Sequence, residues 1–157
     1  MNVSSETPRP DLSVVVPFYR EEEVAESVVK ELRMVLGDLD GSYELILVDD
    51  GSPDTTFDRI LRGIAGDPCC TALRLARNAG QTAAMAAGFE QARGQVVGTM
   101  DGDLQNDPAD VPALLERLGQ GFDVVAGWRK TRQDGFVLRR LPSIVANRPN
   151  QRAIKSS

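Results

Sequence analysis

The sequence predicts an α/β fold whose central sheet is mostly parallel and is flanked by helices on both faces. Short β-branched runs alternate with amphipathic segments, and the connections between them are short. This alternation is typical of parallel strands joined by crossover helices. The chain has 157 residues, of which 41% are hydrophobic, so it is long enough for one domain with its own core.

The first three elements follow from local patterns. The run 12–16 is β-branched and is stopped by Pro17, as expected of a first strand. A helix is predicted over 21–36, because its first turn carries three acids, its apolar residues recur at helical spacing, and Gly37 follows it. The stretch 43–48 (YELILV) predicts a second strand.

The middle of the chain continues the alternation. Ser52 is predicted to cap a helix over 53–64, with proline at its first position. A shorter third strand is predicted over 71–75. An alanine-rich helix over 82–92 follows a turn, and its small side chains suit close packing on a sheet.

The last predicted elements complete the pattern. They are a fourth strand over 95–100, a helix over 108–118 with apolar residues on one side, and a fifth strand over 122–127. The polar, proline-rich residues 1–10 read as a flexible lead-in, and 11–147 as the domain. Residues 148–157 are predicted to form a disordered tail, because Pro149 breaks the helix expected there.

Composition excludes several kinds of chemistry. The chain has no histidine, which removes serine–histidine and cysteine–histidine catalysis and histidine-based zinc hydrolysis. Its two cysteines, Cys69 and Cys70, are adjacent and have no zinc-site spacing. The glycine-rich phosphate loops of Rossmann and Walker type are both missing. A phosphate-bearing ligand would therefore need a metal to hold its phosphates.

Charge is distributed unevenly. The net charge is −5, yet from Arg129 onward there are eight lysines and arginines against a single acid, Asp134. Such a basic end suits an anionic partner such as phosphate, nucleic acid or anionic lipid, or it is simply a charged disordered end. No apolar run approaches the roughly 20 residues of a membrane span. The predicted location is the cytoplasm, with a peripheral position at the membrane face as the alternative.

The most informative stretch joins the fourth predicted strand to the helix after it. Asp101 and Asp103 fall where that strand would end, and residues two apart on extended chain point the same way. Both carboxylates and the Gln105 amide are therefore predicted to converge, and Gly102 leaves room for a ligand. These oxygen ligands suit Mg²⁺ or Mn²⁺. The alternative from the residues alone is a polar turn.

A second acidic pair follows the second predicted strand. Asp49 and Asp50 stand at its end, which again predicts a ligand-facing rim. On extended chain the two point to opposite sides. We therefore expect one of them to be structural and the other to face a ligand.

Five blocks together resemble a known family. They are residues 14–23 (VVVPFYREEE), 48–54 (VDDGSPD), 77–88 (RNAGQTAAMAAG), 100–108 (MDGDLQNDP) and 127–129 (GWR). In this order they resemble the inverting glycosyltransferases of family two, and within them the polyprenyl-phosphate hexosyltransferases similar to dolichol-phosphate-mannose synthase. The match runs from about Leu12 to Asn147.

The resemblance implies a GT-A fold, a nucleotide-sugar donor, a polyprenyl phosphate acceptor at the membrane surface and no nucleic acid partner. It also implies metal-dependent transfer of a hexose, from a donor of the GDP-mannose or UDP-glucose type, with inversion. The metal would be Mg²⁺ or Mn²⁺. The residues that it implies at the donor site, with Asp101, Asp103 and Gln105 as metal ligands, are Pro17, Tyr19, Glu21, Val48, Asp50, Asp101, Gly102, Asp103, Gln105, Arg129 and Arg140.

Of these, Asp101, Asp103 and Arg129 are expected to serve catalysis. A divalent ion held by the two aspartates would neutralise the leaving diphosphate, and Arg129 offers a planar, bidentate contact to phosphate oxygens. A lipid phosphate is already an anion and needs no strong base, which agrees with the absence of histidine.

The family pattern does not continue after about residue 147, so the acceptor half is expected to be missing. This leaves a second hypothesis, a truncated module that binds the nucleotide sugar with little or no transferase activity. A third and weaker hypothesis is a nucleotidyltransferase, which also uses acidic metal ligands on an α/β sheet but for which no glycine-rich phosphate loop is present.

Overall fold

The computed structural model describes residues 8–103 and 107–127. These residues form four strands and four α-helices in strict alternation, with one 3-10 turn, Pro108–Asp110, before the last helix. The elements are β1 (Leu12–Phe18), α1 (Ala25–Gly37), β2 (Tyr43–Asp49), α2 (Thr56–Ile64), β3 (Cys70–Arg74), α3 (Gln81–Gln91), β4 (Val96–Thr99) and α4 (Val111–Gly119).

The four strands form one parallel sheet in the order β3-β2-β1-β4. Side chains from β1 alternate between the two faces. Val14, Val16 and Phe18 join the larger core, which α1 and α2 cover. Val15 joins a smaller cluster with Ala84 of α3 on the other face. The predicted parallel sheet with helices on both faces is therefore confirmed.

Helix α3 approaches the sheet closely because it presents small residues. A Cβ at Gly88 would collide with Val15 Cγ1 and lie 3.2 Å from Val48 Cγ2. The prediction that small side chains let this helix pack tightly on the sheet is confirmed.

A buried polar cluster near the amino ends of β1 and β2 fixes the start of β4. Glu44 Oε1 accepts hydrogen bonds from Ser13 Oγ at 2.6 Å and from the Arg93 N–H at 2.6 Å. The Arg93 guanidinium pairs with Glu44 Oε2 at 2.9 Å, and the Gly94 N–H donates to Ser13 Oγ. These contacts anchor the α3–β4 turn to β1 and β2, and so set where β4 begins.

Two predicted boundaries are wrong in an informative way. Pro17 does not stop β1, which continues to Phe18. The backbone nitrogen of Pro17, which carries no hydrogen, faces β4. The pairing of β4 with β1 ends at Val15, so no hydrogen bond between strands is lost at Pro17. The first helix begins at Ala25 rather than at Glu21, because residues 21–24 form a turn whose Glu21 carbonyl accepts from Val24 and Ala25.

The predicted cap of the second helix is also wrong. Helix α2 begins at Thr56, and Ser52 is not its cap. Asp54 Oδ1 instead accepts the Thr56 N–H at 3.0 Å, and Glu22 Oε2 accepts the Thr55 N–H at 3.1 Å. Ser52 Oγ accepts a hydrogen bond from the Arg20 N–H of the neighbouring loop.

The fifth predicted strand is wrong as well, since residues 122–127 have no strand structure. Phe122 and Val124 are about half exposed. An apolar run becomes a strand only where it pairs with a neighbour, and within the described residues β4 pairs only with β1. Val125 instead lines an apolar pocket between β4 and α4, together with Leu12, Val14, Val96, Gly98, Thr99, Met100, Val111, Leu114, Leu115 and Leu118.

Candidate functional site

The carboxyl ends of the four parallel strands meet along one edge of the sheet, and four polar loops follow them there. In open parallel sheets this edge is where ligands bind. We call these loops the rim. They are residues 19–22 after β1, 50–55 after β2, 75–80 after β3 and 100–103 after β4.

The loops after β1 and β2 are joined by backbone-to-side-chain hydrogen bonds. The Arg20 N–H donates to Ser52 Oγ at 3.0 Å, and the Glu21 N–H donates to Thr56 Oγ1 at 2.9 Å. Thr56 is fully buried, and its hydroxyl donates to Asp54 Oδ1 at 2.6 Å. These bonds hold the backbone of Glu21 in place at the rim.

Five of the predicted nucleotide-contacting residues lie in or after β1 and β2, and three of them are Pro17, Tyr19 and Val48. Tyr19 is 40% exposed, and the Arg20 guanidinium lies 5.7 Å from the centre of its ring. Pro17 and Val48 are buried neighbours across the β1–β2 register. Val48 packs in the smaller core cluster, so its side chain presents no surface at the rim. The nucleotide contacts assigned to these residues stay predictions.

Carboxylates of two other loops at the rim act on the Glu21 carboxyl group. Burial raises the pKa of Glu21 above its ordinary value, and the negative charges of Asp103 and Asp54 raise it further. The side chains of the β1, β2 and β4 loops therefore share one acidic region. An acid with a raised pKa in such a region is typical of a site that receives a cation or a charged ligand.

Asp49 and Asp50 are both buried and are held by different partners. Asp49 Oδ1 accepts the Ser52 N–H at 3.1 Å. Arg74 Nε lies 3.2 Å from Asp49 Oδ2, an ion pair whose angle does not meet hydrogen-bond geometry. The Arg74 guanidinium also donates to the Ser52 carbonyl. The prediction that one member of this pair is structural is confirmed for Asp49.

Asp50 is bound by the loop after β3. Its Oδ1 accepts the Ala79 N–H at 2.8 Å, and its Oδ2 accepts Asn78 Nδ2 and the Gly80 N–H, both at 2.9 Å. The structure thus gives Asp50 a role that the sequence did not indicate, as the anchor of residues 78–80. Its predicted contact with the nucleotide stays a prediction.

Gly51 makes this anchoring possible. Its φ of +65° is in the left-handed region, and a Cβ there would lie 2.7 Å from Asn78 N and closer still to the Arg77 backbone. A side chain at position 51 would therefore push away the loop that Asp50 holds.

The motif after β4 is fixed on both sides. A Cβ at Gly102 would lie 2.5 Å from ring carbons of the buried Phe18, so this position needs glycine for packing. Packing against Phe18 is therefore enough to explain a glycine at position 102. The expectation that Gly102 also leaves room for a ligand stays a prediction. The Gln81 amide donates from the start of α3 to Asp101 Oδ1 at 2.7 Å.

The acidic pair fits a divalent ion that is shared with a substrate. Within residues 8–103 and 107–127, no three acidic or cysteine side chains are grouped closely enough to enclose a metal. Mg²⁺ usually binds through one or two carboxylates together with substrate phosphates and water. Asp101 and Asp103 match that smaller donor set. Gln105, Arg129 and Arg140 lie outside the described residues.

Sequence reasoning missed the side chains that connect the loops. Gln81 precedes the predicted helix over 82–92, and neither Gln81 nor Asn78 has a predicted role at the site. The residue types offered no local signal, because Gln81 meets an aspartate twenty positions later and Asn78 meets one twenty-eight positions earlier. Only their place in the quoted block 77–88 drew attention to this segment.

A parallel sheet with helices on both faces and polar loops after its strands places this chain in the class of open α/β proteins that bind ligands at this edge. The chain belongs to glycosyl transferase family 2, whose family model matches residues 13–156. The resemblance drawn from the five sequence blocks is therefore confirmed.

Curated relatives are about 42–43% identical to this chain over the aligned residues. The chain is 43% identical over 139 residues to a dodecaprenyl-phosphate galacturonate synthase from Rhizobium johnstonii, covering 87% of this chain and 41% of that protein. It is 42% identical over 143 residues to an undecaprenyl-phosphate 4-deoxy-4-formamido-L-arabinose transferase from Pseudomonas paraeruginosa, covering 90% and 42%. The chain thus spans about two fifths of the length of these relatives.

Solved structures agree on the fold. The glucosyl-3-phosphoglycerate synthase of Mycobacterium tuberculosis, crystallised with Mn²⁺, UDP-glucose and phosphoglyceric acid, matches with a TM-score of 0.58 at 27% identity, over 73% of this chain and 41% of that one. A mannosyltransferase from Pyrobaculum calidifontis, in complex with GDP-Man and Mn²⁺, matches with a TM-score of 0.57 at 24% identity, over 76% and 35%. The predicted GT-A fold is confirmed.

Across the described part of the chain, no helix combines the length and the apolar character needed to cross a bilayer.

Proposed function

We propose that this chain binds a nucleotide-diphosphate sugar through a divalent ion and transfers the sugar, with inversion, to a polyprenyl phosphate. The observation that carries the proposal is the acidic pair Asp101 and Asp103 at the end of β4, on the rim of a family 2 domain. The names of the two curated relatives, which are polyprenyl-phosphate sugar transferases, support the acceptor class.

The donor sugar is proposed more broadly than a neutral hexose. Donors of the GDP-mannose and UDP-glucose type remain the first candidates. The relatives are named for a galacturonate and a formamido-arabinose, which argues for including uronic acid and amino-sugar derivatives. The nucleotide contacts proposed at the rim are those of Tyr19, Glu21 and Asp50, with Pro17 and Val48 shaping the sheet edge beneath them.

The chemistry needs few protein groups. Asp101 and Asp103, with Gln105, would hold the Mg²⁺ or Mn²⁺ ion, and Arg129 and Arg140 would contact the diphosphate. When bound, such an ion neutralises the charge that develops on the departing nucleoside diphosphate. The acceptor phosphate oxygen is already anionic when it attacks the anomeric carbon, so the chain needs no histidine base, and it has none.

A second candidate function is binding without transfer. The chain spans about two fifths of the length of its curated relatives, so the transfer activity of those whole proteins is a proposal for this chain. In this case nucleotide and metal bind at the rim and no sugar reaches a lipid.

One experiment separates these outcomes. We expect UDP or GDP to raise the melting temperature in the presence of Mn²⁺, and by much less without it, because a ligand that binds only the folded state stabilises it. A labelled sugar nucleotide and a short-chain polyprenyl phosphate then test for transfer. Asp103→Ala should abolish both signals, while Asp123→Ala, which removes an exposed carboxylate outside the rim, should change neither.

Binding without transfer would favour the second candidate. Undiminished binding and transfer by Asp103→Ala would refute the assigned site.

A further inference from the structure

The Gln81 side chain connects the start of helix α3 to the acidic motif after β4. Gln81 is the first residue of α3, and its Nε2 donates to Asp101 Oδ1 at 2.7 Å, twenty positions along the chain at the end of β4. Helix α3 packs mainly on β1 and β2, and Val97 of β4 packs against the same small cluster as Ala84 of α3. The amide of Gln81 extends from the start of this helix to the acidic motif that follows β4.

The backbone that carries Gln81 is itself fixed. The Ala79 and Gly80 N–H groups and the Asn78 amide all donate to the Asp50 carboxylate. The Gly80 carbonyl accepts from the Ala83 and Ala84 N–H groups, so α3 begins directly after the anchored loop. A continuous polar path thus runs from Asp50 through residues 78–80 to Gln81 and Asp101.

The chemistry of this contact suits a metal ligand. A primary amide donates a hydrogen bond to a carboxylate without adding charge, so it orients the oxygens and leaves the negative charge available to a cation. Partners of this kind behind ligating side chains typically affect metal affinity by about 10- to 100-fold. A lysine in the same place would compete with the ion.

We propose that Gln81 is a positioning residue for the metal–diphosphate site. It holds Asp101 in its ligating orientation and, through residues 78–80, couples that orientation to Asp50 at the end of β2. This inference rests on the proposed function, since it assumes that Asp101 meets a metal-bound nucleotide.

The test uses Gln81→Met, which keeps the length of the side chain and removes the donor. The matched control is Gln91→Met, an exposed glutamine at the last position of the same helix. Calorimetry measures the binding of UDP and of GDP to the full chain, with and without Mn²⁺, and circular dichroism gives the melting temperature of each variant without ligand.

We expect Gln81→Met to weaken Mn²⁺-dependent nucleotide binding by about 10-fold, the lower end of the range for such partners because the contact is exposed. Metal-free binding and the melting temperature should match those of wild type and of Gln91→Met. A purely structural role would lower the melting temperature and affect both kinds of binding equally.

Two further results would overturn the inference, and they differ in what they mean for the proposed function. If wild type binds with Mn²⁺ and Gln81→Met binds equally well, Gln81 does not position Asp101, and the proposed function stands. If wild type shows no Mn²⁺-dependent binding of either nucleotide, the proposed function fails and this inference fails with it.

Discussion

Replacement of Asp50 by asparagine tests whether this carboxylate is the anchor of the loop after β3. The substitution keeps the shape of the side chain and removes its charge and one acceptor. If the asparagine oxygen takes the place of Oδ2, the bonds from Asn78 and Gly80 persist in weaker form, and the Ala79 N–H faces an amide that cannot accept it.

The expected cost follows from these contacts. An unsatisfied, part-buried donor costs about 1–3 kcal/mol, and the two remaining bonds lose the extra strength of a charged acceptor. Because the loop is partly open to water, we expect the free energy of unfolding to fall by about 2–3 kcal/mol in total. For a chain of this size that corresponds to a melting temperature about 4–12 °C lower.

Urea denaturation measures the change in stability, and amide hydrogen exchange at Ala79 and Gly80 locates it. Asp38→Asn is the control, because Asp38 is an exposed carboxylate just after the end of α1 and should cost nothing. Unchanged stability and unchanged exchange at these two amides, combined with weaker nucleotide binding, would refute the reasoning. Asp50 would then be a ligand contact and not the anchor.

Two further predictions concern the elements beneath the rim. Gly102→Ala should lower the free energy of unfolding, measured by urea denaturation, by about 1–3 kcal/mol, because the added methyl group overlaps the Phe18 ring. The double variant Gly102→Ala with Phe18→Leu should lose less stability than the sum of the two single variants. Strict additivity of the two losses would contradict the overlap. Glu44→Gln should lower the free energy of unfolding by about 2 kcal/mol at neutral pH. Burial raises the pKa of Glu44, but hydrogen bonds from Ser13 and Arg93 outweigh it and hold the pKa below its ordinary 4.5. Its stabilising effect is therefore present above pH 4.5 and is lost as pH falls through the lowered pKa. Urea midpoints of wild type and Glu44→Gln should converge in acid, and a constant gap down to pH 2 would contradict this assignment.

The sequence predicted the elements whose causes are local. The β-branched run of β1, the apolar residues 45–48 of β2 and the apolar spacing of α1 specify strand and helix without help from distant residues. The acidic pair Asp101 and Asp103 was found for the same reason, since it directly follows an apolar run.

The failures share a different cause, which is contact between distant parts of the chain. Ser52 looks like a helix cap in sequence, but its hydroxyl is taken by the Arg20 N–H, thirty-two positions away. The run 122–127 has strand composition but no strand partner among the described residues. Nothing in the sequence links Gln81 to Asp101, whose side chains folding brings to 2.7 Å. Local patterns therefore located the rim but not the bonds that connect its loops.

The hydrogen bonds between the rim loops form despite repulsion between carboxylates that the same loops carry. Glu21, Asp54 and Asp103 come from three different loops, and the raised pKa of Glu21 shows that burial and its two neighbours disfavour its ionised form. The acidic region therefore destabilises the fold as pH rises from the ordinary pKa of Glu21 through its raised value. The hydrogen bonds from Arg20 to Ser52 and from Glu21 to Thr56 hold these loops together despite that repulsion. A divalent cation placed among the carboxylates would relieve it, so the charge arrangement that weakens the free protein would favour the proposed binding of a metal-bound diphosphate.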